Sequence, residues 1–284
     1  MCIRDRDAYL ALDAPITGTG IGGRITVEDL MNAAKAAPAA ASAPSAAAAP
    51  ADEVEVVKLP PIRKSIAKAM VGSLSSMAQL TLTSSFDASE IMAYRAKLKA
   101  NAENLGLANI TYNDMVLFAV ARTLADAQFK ALNANLIDDE MHYFKSVNLG
   151  VAVDTDRGLM VPTVMGANHK SLDQIAGEVK ELAAQCKDGG IAPDKLKGAS
   201  FTVSNLGSQG IESFTPVINP PQTGILGVNT IEYRVKMVKG EQVVYPAMGL
   251  SLTFDHRALD GLPAAKFLKA VVTNLENFSL LLAK

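Results

Sequence analysis

The sequence predicts an α/β fold in which helices pack on a mixed sheet. From about residue 57 onward, segments with helical apolar spacing alternate with segments of strand-like alternation. In the middle of the chain, short strand-like runs cluster around two-residue turns, which predicts antiparallel hairpins. No continuous β-α-β rhythm of the dinucleotide-binding kind runs through the chain, and no internal repeat does. With 284 residues and 49% hydrophobic content, there is ample material for a buried core in one large domain, or in a medium domain with a small companion.

Taken in order, the first unit is a short piece over 7–35. Its middle reads Gly18-Thr19-Gly20-Ile21-Gly22-Gly23-Arg24, followed by Ile25-Thr26-Val27-Glu28-Asp29. Four glycines make a tight loop, Thr26 is placed as an N-cap, and Asp29 stands where a capping box has Glu or Gln. A helix from Val27 to about Ala34 is expected. The glycine spacing is neither the dinucleotide nor the P-loop pattern, so a structural turn is the reading. From Ala36 to Asp52 only Ala, Pro and Ser occur before the final Asp, with Pro38, Pro44 and Pro50 six residues apart. Such a stretch offers no apolar face to bury, and proline extends it, so 36–54 is expected to be a semi-rigid linker to a domain over 55–284.

In that domain Ile62, Ile66, Ala69 and Met70 share one face of a first helix, and Leu80, Leu82, Ser84 and Phe86 alternate as a strand. Asp87 and Glu90 are expected to box the start of a helix that turns Ile91, Tyr94 and Leu98 inward. Another helix is expected from about Asn113 to Ala125. Hairpins follow at Ala134–Ile137 with Met141–Lys145, and at Val147–Asp154 with Leu159–Val164. A helix capped by Ser171 and Gln174 runs to about Lys187. Strands are expected at Ser200–Ser204, Gly224–Asn229 and Val243–Phe254, and a last helix begins at Pro263, where proline is tolerated in the first turn.

Composition excludes several classes of partner. A net charge of −2 with both signs interspersed leaves no footprint for nucleic acid or a membrane surface. The apolar runs are too short to cross a bilayer, and no signal segment opens the chain, so a cytoplasmic location is expected. Cys2 and Cys186 are far apart and lack metal-ligand spacing, so neither a disulfide framework nor a metal site is expected. Cys186 reads as a structural thiol within a helix.

Three histidines bound the search for a base of near-neutral pKa. His142 lies in a hairpin strand and His169 in a polar loop, where packing or surface roles are the reading. His256 differs. The alternating run Leu250-Ser251-Leu252-Thr253-Phe254 ends in Asp255-His256-Arg257, followed by Asp260-Gly261. Polar groups at a strand end are held by a rigid scaffold, which suits catalysis. The alternative is a structural Asp255–Arg257 salt bridge with His256 capping the turn, and local pattern leaves both open. A second strand breaks at Ser204-Asn205-Leu206-Gly207, where Ser204 could donate to an oxyanion or simply form a turn. It is not the Gly-x-Ser-x-Gly elbow of a serine nucleophile. Asn219-Pro220-Pro221-Gln222 reads as a stiff, extended loop.

In order and spacing these segments resemble the E2 component of the 2-oxo acid dehydrogenase complexes, the dihydrolipoamide acyltransferases. The likeness runs from Val57 to Lys284 through Ile62-Arg63-Lys64, Asn148–Val153, Gly158–Pro162, Ser204–Gly207, Ile218–Gln222 and Asp255–Gly261. Gly18–Asp29 is similar to the second half of that family's peripheral subunit-binding domain. The resemblance implies a chloramphenicol-acetyltransferase-like fold, trimers with active sites between subunits, and a larger hollow core. It makes His256 the general base and Ser204 the oxyanion donor, reaching across from a neighbouring subunit, while Asp260 orients His256 or an arginine. Coenzyme A and a lipoyl group are the implied acyl carriers, with no metal.

The implied reaction is acyl transfer between dihydrolipoamide and coenzyme A. Ile211–Pro216 looks closer to acetyl-transferring members of the pyruvate dehydrogenase type. Met1–Arg6 fits no family pattern where a first basic helix is expected, so this half-module is not expected to dock the E1 or E3 partner enzymes by itself. No lipoyl domain occurs in these 284 residues, so its arm is expected from another region or chain. Two rival readings are a non-catalytic core or docking subunit, and an acetyltransferase of free small molecules. The first is opposed by the presence of His256, Ser204 and Asp260, and the second leaves the linker and the small unit unexplained.

Overall fold

The computed structural model describes residues 16–36 and 54–283, which fall into two units, Met1–Lys58 and Leu59–Lys284. Residues 7–15 of the expected small domain, most of the expected linker, and Cys2 lie outside the described residues.

In the first unit, helix α1 spans Val27–Ala36 and carries the cap that its sequence predicts. The Asp29 N–H donates to Thr26 Oγ1 at 3.3 Å, and the Thr26 N–H donates to Asp29 Oδ2 at 2.8 Å. The loop adds Thr19, whose N–H and hydroxyl donate to the same carboxylate at 3.0 and 2.8 Å. Gly22 and Gly23, at φ +74° and +77°, supply the left-handed backbone that turns the loop back on itself. The Thr26 and Thr19 hydrogen bonds hold the Asp29 carboxyl well below the usual carboxylate range. A pKa lowered by folding stabilises the fold fully above the unfolded value of about 3.9, and that contribution is lost progressively as pH falls from there towards the lower folded value. Protection factors of the α1 amides, taken against the intrinsic exchange rate at each pH, are therefore expected to fall on acidification from pH 6 to pH 3, and in Asp29→Asn at pH 6. Equal exchange in variant and parent would remove this role from Asp29.

The second unit contains helix α2 (Pro61–Ser76), strand β1 (Gln79–Asp87), α3 (Ser89–Leu105), α4 (Tyr112–Leu124), β2 (Ala134–Ile137) and β3 (Glu140–Tyr143). Next come β4 (Leu149–Val151), β5 (Thr163–Val164), α5 (Leu172–Asp188) and β6 (Phe201–Asn205). The chain ends with β7 (Gly224–Val238), β8 (Glu241–Asp255), α6 (Gly261–Glu276) and α7 (Phe278–Leu281). Six strands form one sheet in the order β1-β8-β7-β6-β4-β5, and β2 and β3 pair separately. The large sheet is mixed, as predicted: β4, β6 and β7 run parallel, and the remaining pairs are antiparallel.

Strand alternation gives this sheet one apolar and one polar face. Leu250, Leu252 and Phe254 of β8, Leu226 and Val228 of β7, and Phe201 and Val203 of β6 enter the core. There α6 meets them through Phe267, packed edge-on to Phe201 and Phe129 at centroid distances of 5.8 and 5.5 Å. Helix α4 is buried over nearly its whole length, which explains why its sequence is apolar all round. Its Thr111–Asp114 capping box was not foreseen. The opposite face of the sheet carries Thr202, Ser251, Thr253 and Asp255, all buried. These are paired rather than stranded: the Thr81 and Thr253 hydroxyls lie 2.7 Å apart, and Asn229 Nδ2 donates to Ser251 Oγ at 3.1 Å.

Four sequence expectations are corrected. The α2 face of Ile62, Ile66, Ala69 and Met70 is only partly covered: Ile66 and Met70 are half-buried, Ile62 and Ala69 are exposed, and the one buried residue of the helix is Ser73. The physical reason is a polar anchor, in which the Ser73 hydroxyl donates to the Ile218 carbonyl at 2.7 Å and accepts from Gln79 Nε2 at 2.8 Å. No Asp87–Glu90 box starts α3. Asp87 instead bonds Ser89 and Lys236, and Glu90 accepts from the Ser279 N–H, so both carboxylates are taken by other partners. The β4–β5 hairpin is shorter than expected. The strand expected at Gly224–Asn229 continues to Val238 and turns at Lys239-Gly240 into β8.

Among the described residues, no helix is long and apolar enough to cross a membrane. Cys186 is buried within α5, and that burial pushes its thiol pKa up, which suits a structural thiol.

Candidate active site

The site is built outward from the end of β8. Asp255 is its last residue and pairs with Gln79 of β1. One step further, the His256 N–H donates to the Ala78 carbonyl at 2.8 Å, so the strand pairing holds the histidine main chain. The carbonyl of Asp255 then accepts from the Ala258 and Leu259 N–H groups at 2.9 and 3.3 Å, closing a tight turn before α6.

Within this turn Asp255 is completely buried, and the isolated burial of a carboxylate costs several kcal/mol. Arg257 offsets that cost: its Nε lies 3.0 Å from each carboxylate oxygen and its Nη2 lies 2.6 Å from Oδ2. The pairing pushes the Arg257 pKa further up. The salt bridge read from the sequence as the structural alternative is thus present, and it frames His256 rather than replacing it. The imidazole is 44% exposed, its ring centroid lies 5.7 Å from that of Phe254, and Nδ1 is 3.8 Å from Asp260 Oδ1. That separation is too long for a hydrogen bond, so within the chain Asp260 is near His256 without fixing it.

Ser204 stands elsewhere. On β6 it pairs with Gly227 of β7, which pairs with Ser251 of β8, so the three occupy one row on the polar face. His256 lies five residues beyond Ser251. At about 3.3 Å per residue and 4.8 Å per strand, that places Ser204 about 16 Å along and about 10 Å across the sheet. The structure therefore brings His256 and Asp260 together within one chain and keeps Ser204 apart from them. His142 and His169 are exposed, with His142 Nε2 at 3.9 Å from Glu140 and His169 Nε2 at 3.0 Å from Asn168 Nδ2.

Sequence reasoning missed the cover over the row of Ser204. A Cβ built on Gly227 would fall 2.7 Å from the Phe214 ring, so only glycine lets that ring lie against the strand. A glycine in the interior of an apolar strand was the available signal. The Asn219–Gln222 segment was expected to be extended. It turns instead at a cis Pro220–Pro221 peptide, and the buried Gln222 side chain accepts from Thr202 Oγ1 at 2.6 Å. A cleft of about 540 Å³, lined by Asn113, Asn205, Gly207 and Met248 among others, opens beside the end of β6.

The fold is thus an α/β mixed sheet with a histidine turn at one strand end and a serine on its polar face. Residues 51–283 match the family model described as 2-oxoacid dehydrogenases acyltransferase (catalytic domain), and the chain belongs to that family. It is 40% identical over 286 residues to the dihydrolipoyllysine-residue acetyltransferase component of the pyruvate dehydrogenase complex of Bacillus subtilis. That alignment covers 94% of this chain and 63% of the relative, so the chain spans somewhat under two thirds of the relative's length.

Among solved structures, the chain is similar to the dihydrolipoamide acetyltransferase of Azotobacter vinelandii, with a TM-score of 0.78 and 32% identity, covering 82% of this chain and 95% of that one. That structure was determined to examine a serine, a histidine and an asparagine in its catalytic mechanism. It is also similar to the cubic core of a pyruvate dehydrogenase multienzyme complex, with a TM-score of 0.78, 31% identity and the same coverage.

Proposed function

We propose that this chain transfers an acetyl group between a dihydrolipoyl thioester and coenzyme A as a core subunit of a 2-oxo acid dehydrogenase complex of the pyruvate type. His256 is the general base and Ser204 the oxyanion donor, while Asp260 orients His256 or an arginine in the assembled site. One observation carries the reading. The serine, histidine and asparagine examined in the Azotobacter relative stand in the same order and at the same separations along the chain as Ser204, His256 and Asp260.

The chemistry fits these residue types. A thiol with pKa near 8.5 is mostly protonated at neutral pH, and an imidazole with a reference pKa near 6.5 can take its proton as sulfur attacks the thioester carbonyl. The Ser204 hydroxyl donates to the oxyanion of the tetrahedral intermediate. Collapse expels the other thiolate, which recovers the proton from His256, so no acyl-enzyme forms and nothing is oxidised or reduced. Because Ser204 and His256 of one chain are too far apart to share one carbonyl, the working site pairs His256 of one subunit with Ser204 of another.

Self-association has support of its own. Beyond the sheet, β7 and β8 continue as a two-stranded arm whose alternation exposes Tyr233, Val235, Met237 and Val244 on one side. Apolar rows of this kind mark contact surfaces, here for other copies in a trimer and a larger core. The reading takes the small unit over 7–35 as part of a subunit-binding domain, 36–54 as its linker, and 55–284 as the catalytic domain. It takes a lipoyl domain as the source of the lipoyl arm, E1 and E3 enzymes as members of the complex, and the cytoplasm as its location.

Acetyl specificity follows from Phe214, whose ring lies on Gly227 beside Ser204 and narrows the space for an acyl chain. Comparing acetyl-, succinyl- and branched-chain acyl-dihydrolipoamide tests this directly. Acetyl is expected to react fastest, and Phe214→Ala is expected to raise relative kcat/KM for the branched acyl group by about tenfold or more, the scale of one or two methylenes in a pocket. A parent that prefers the branched substrate would overturn the assignment.

A further inference from the structure

Among the described residues, His256 has no side-chain hydrogen bond, and its imidazole is 44% exposed. The main chain of the turn fixes the Cα–Cβ bond from which the ring is presented. Four donor groups from that turn or its neighbour converge on one carboxylate. Asp255 Oδ1 accepts from the Ala78 N–H at 3.3 Å, the Arg257 N–H at 3.1 Å and Arg257 Nε at 3.0 Å, while Oδ2 accepts from Arg257 Nη2 at 2.6 Å. Residues on both sides of His256 are tied to the same group. Ala78 is tied twice, since its carbonyl also receives the His256 N–H. Arg257 is the guanidinium partner that lets a carboxylate occupy this fully buried position.

We propose that Asp255 and Arg257 are positioning residues: a buried carboxylate clamped by its guanidinium partner sets the direction in which His256 presents its imidazole. The inference rests on the reading of His256 as the base. Catalytic rates are sensitive to such placement, since a shift of about 1 Å at a reacting group can cost about 100-fold. A planar fork is also required, because Nε and Nη2 engage both oxygens side by side, an arrangement that a lysine cannot reproduce.

The test uses the full chain in its assembled state and measures kcat and KM for acetyl transfer in His256→Ala, Arg257→Gln, Arg257→Lys and Asp255→Asn, with thermal melting and sedimentation for each. Arg257→Gln is expected to lower kcat about 10- to 100-fold, with KM for both substrates within about threefold, in a fully assembled protein well below its melting temperature. Arg257→Lys is expected to recover only part of that loss. Asp255→Asn is expected to match or exceed the loss in Arg257→Gln. If it fails to assemble, the two Arg257 variants decide the matter, because that side chain reaches the surface. Arg257 variants with kcat within twofold of the parent, alongside an inactive His256→Ala, would overturn the positioning role and leave the base assignment standing. An active His256→Ala would overturn the base assignment itself.

Discussion

Replacing His256 with alanine is expected to lower kcat for acetyl transfer about 10²- to 10⁴-fold, the usual contribution of a positioned general base. The expectation depends on the fold surviving the change. The imidazole is 44% exposed and takes no hydrogen bond among the described residues, so its removal leaves no buried partner unsatisfied. The turn persists because its bonds use the main chain of residue 256 and the side chains of Asp255 and Arg257. Melting temperature and sedimentation should therefore match the parent while transfer collapses. A His256→Ala protein with parental kcat would sink the catalytic assignment. A loss of activity that merely tracked a loss of assembly would make His256 a structural residue.

The second large effect is a gain. Ser204→Ala alone is expected to cost about 10²- to 10³-fold in kcat, as removal of one oxyanion donor does. If His256→Ala and Ser204→Ala chains are unfolded together and reassembled in equal amounts, activity should return to about one quarter of the parental level. In a symmetric ring filled at random, about one interface in four then joins an intact His256 to an intact Ser204. Simple mixing of the assembled variants should recover nothing until subunits exchange. The recovery follows from sheet register, which sets Ser204 level with Ser251, five residues short of His256 on β8. A site contained within one chain would give no recovery, since every chain in the mixture lacks one of the two groups.

What the sequence determined by itself was local. Thr26 with Asp29 and Ser171 with Gln174 form the capping boxes that their spacing implies, because a cap needs only residues three apart. The Asp138-Asp139 turn takes the positive φ values of a two-residue hairpin, at +48° and +64°. The alternating run into Asp255-His256-Arg257 became a strand ending in a polar turn, and Ser204 proved to be at the end of another strand. Period, cap and turn chemistry are short-range, so one sequence carries them.

What only the tertiary structure decided involves residues far apart in the chain. The salt bridge of Asp255 with Arg257 was legible, but its Ala78 partner, 177 positions away, was not. Asp87 and Glu90 are suitable cap residues that distant Lys236 and Ser279 occupy instead. The partly exposed face of α2, the free end of β7 and β8, and the ring of Phe214 on Gly227 depend equally on what folding brings alongside. The distance between Ser204 and His256 belongs to this second group. Local pattern marks each as a polar strand end, and only the pairing of three strands fixes how far apart they lie.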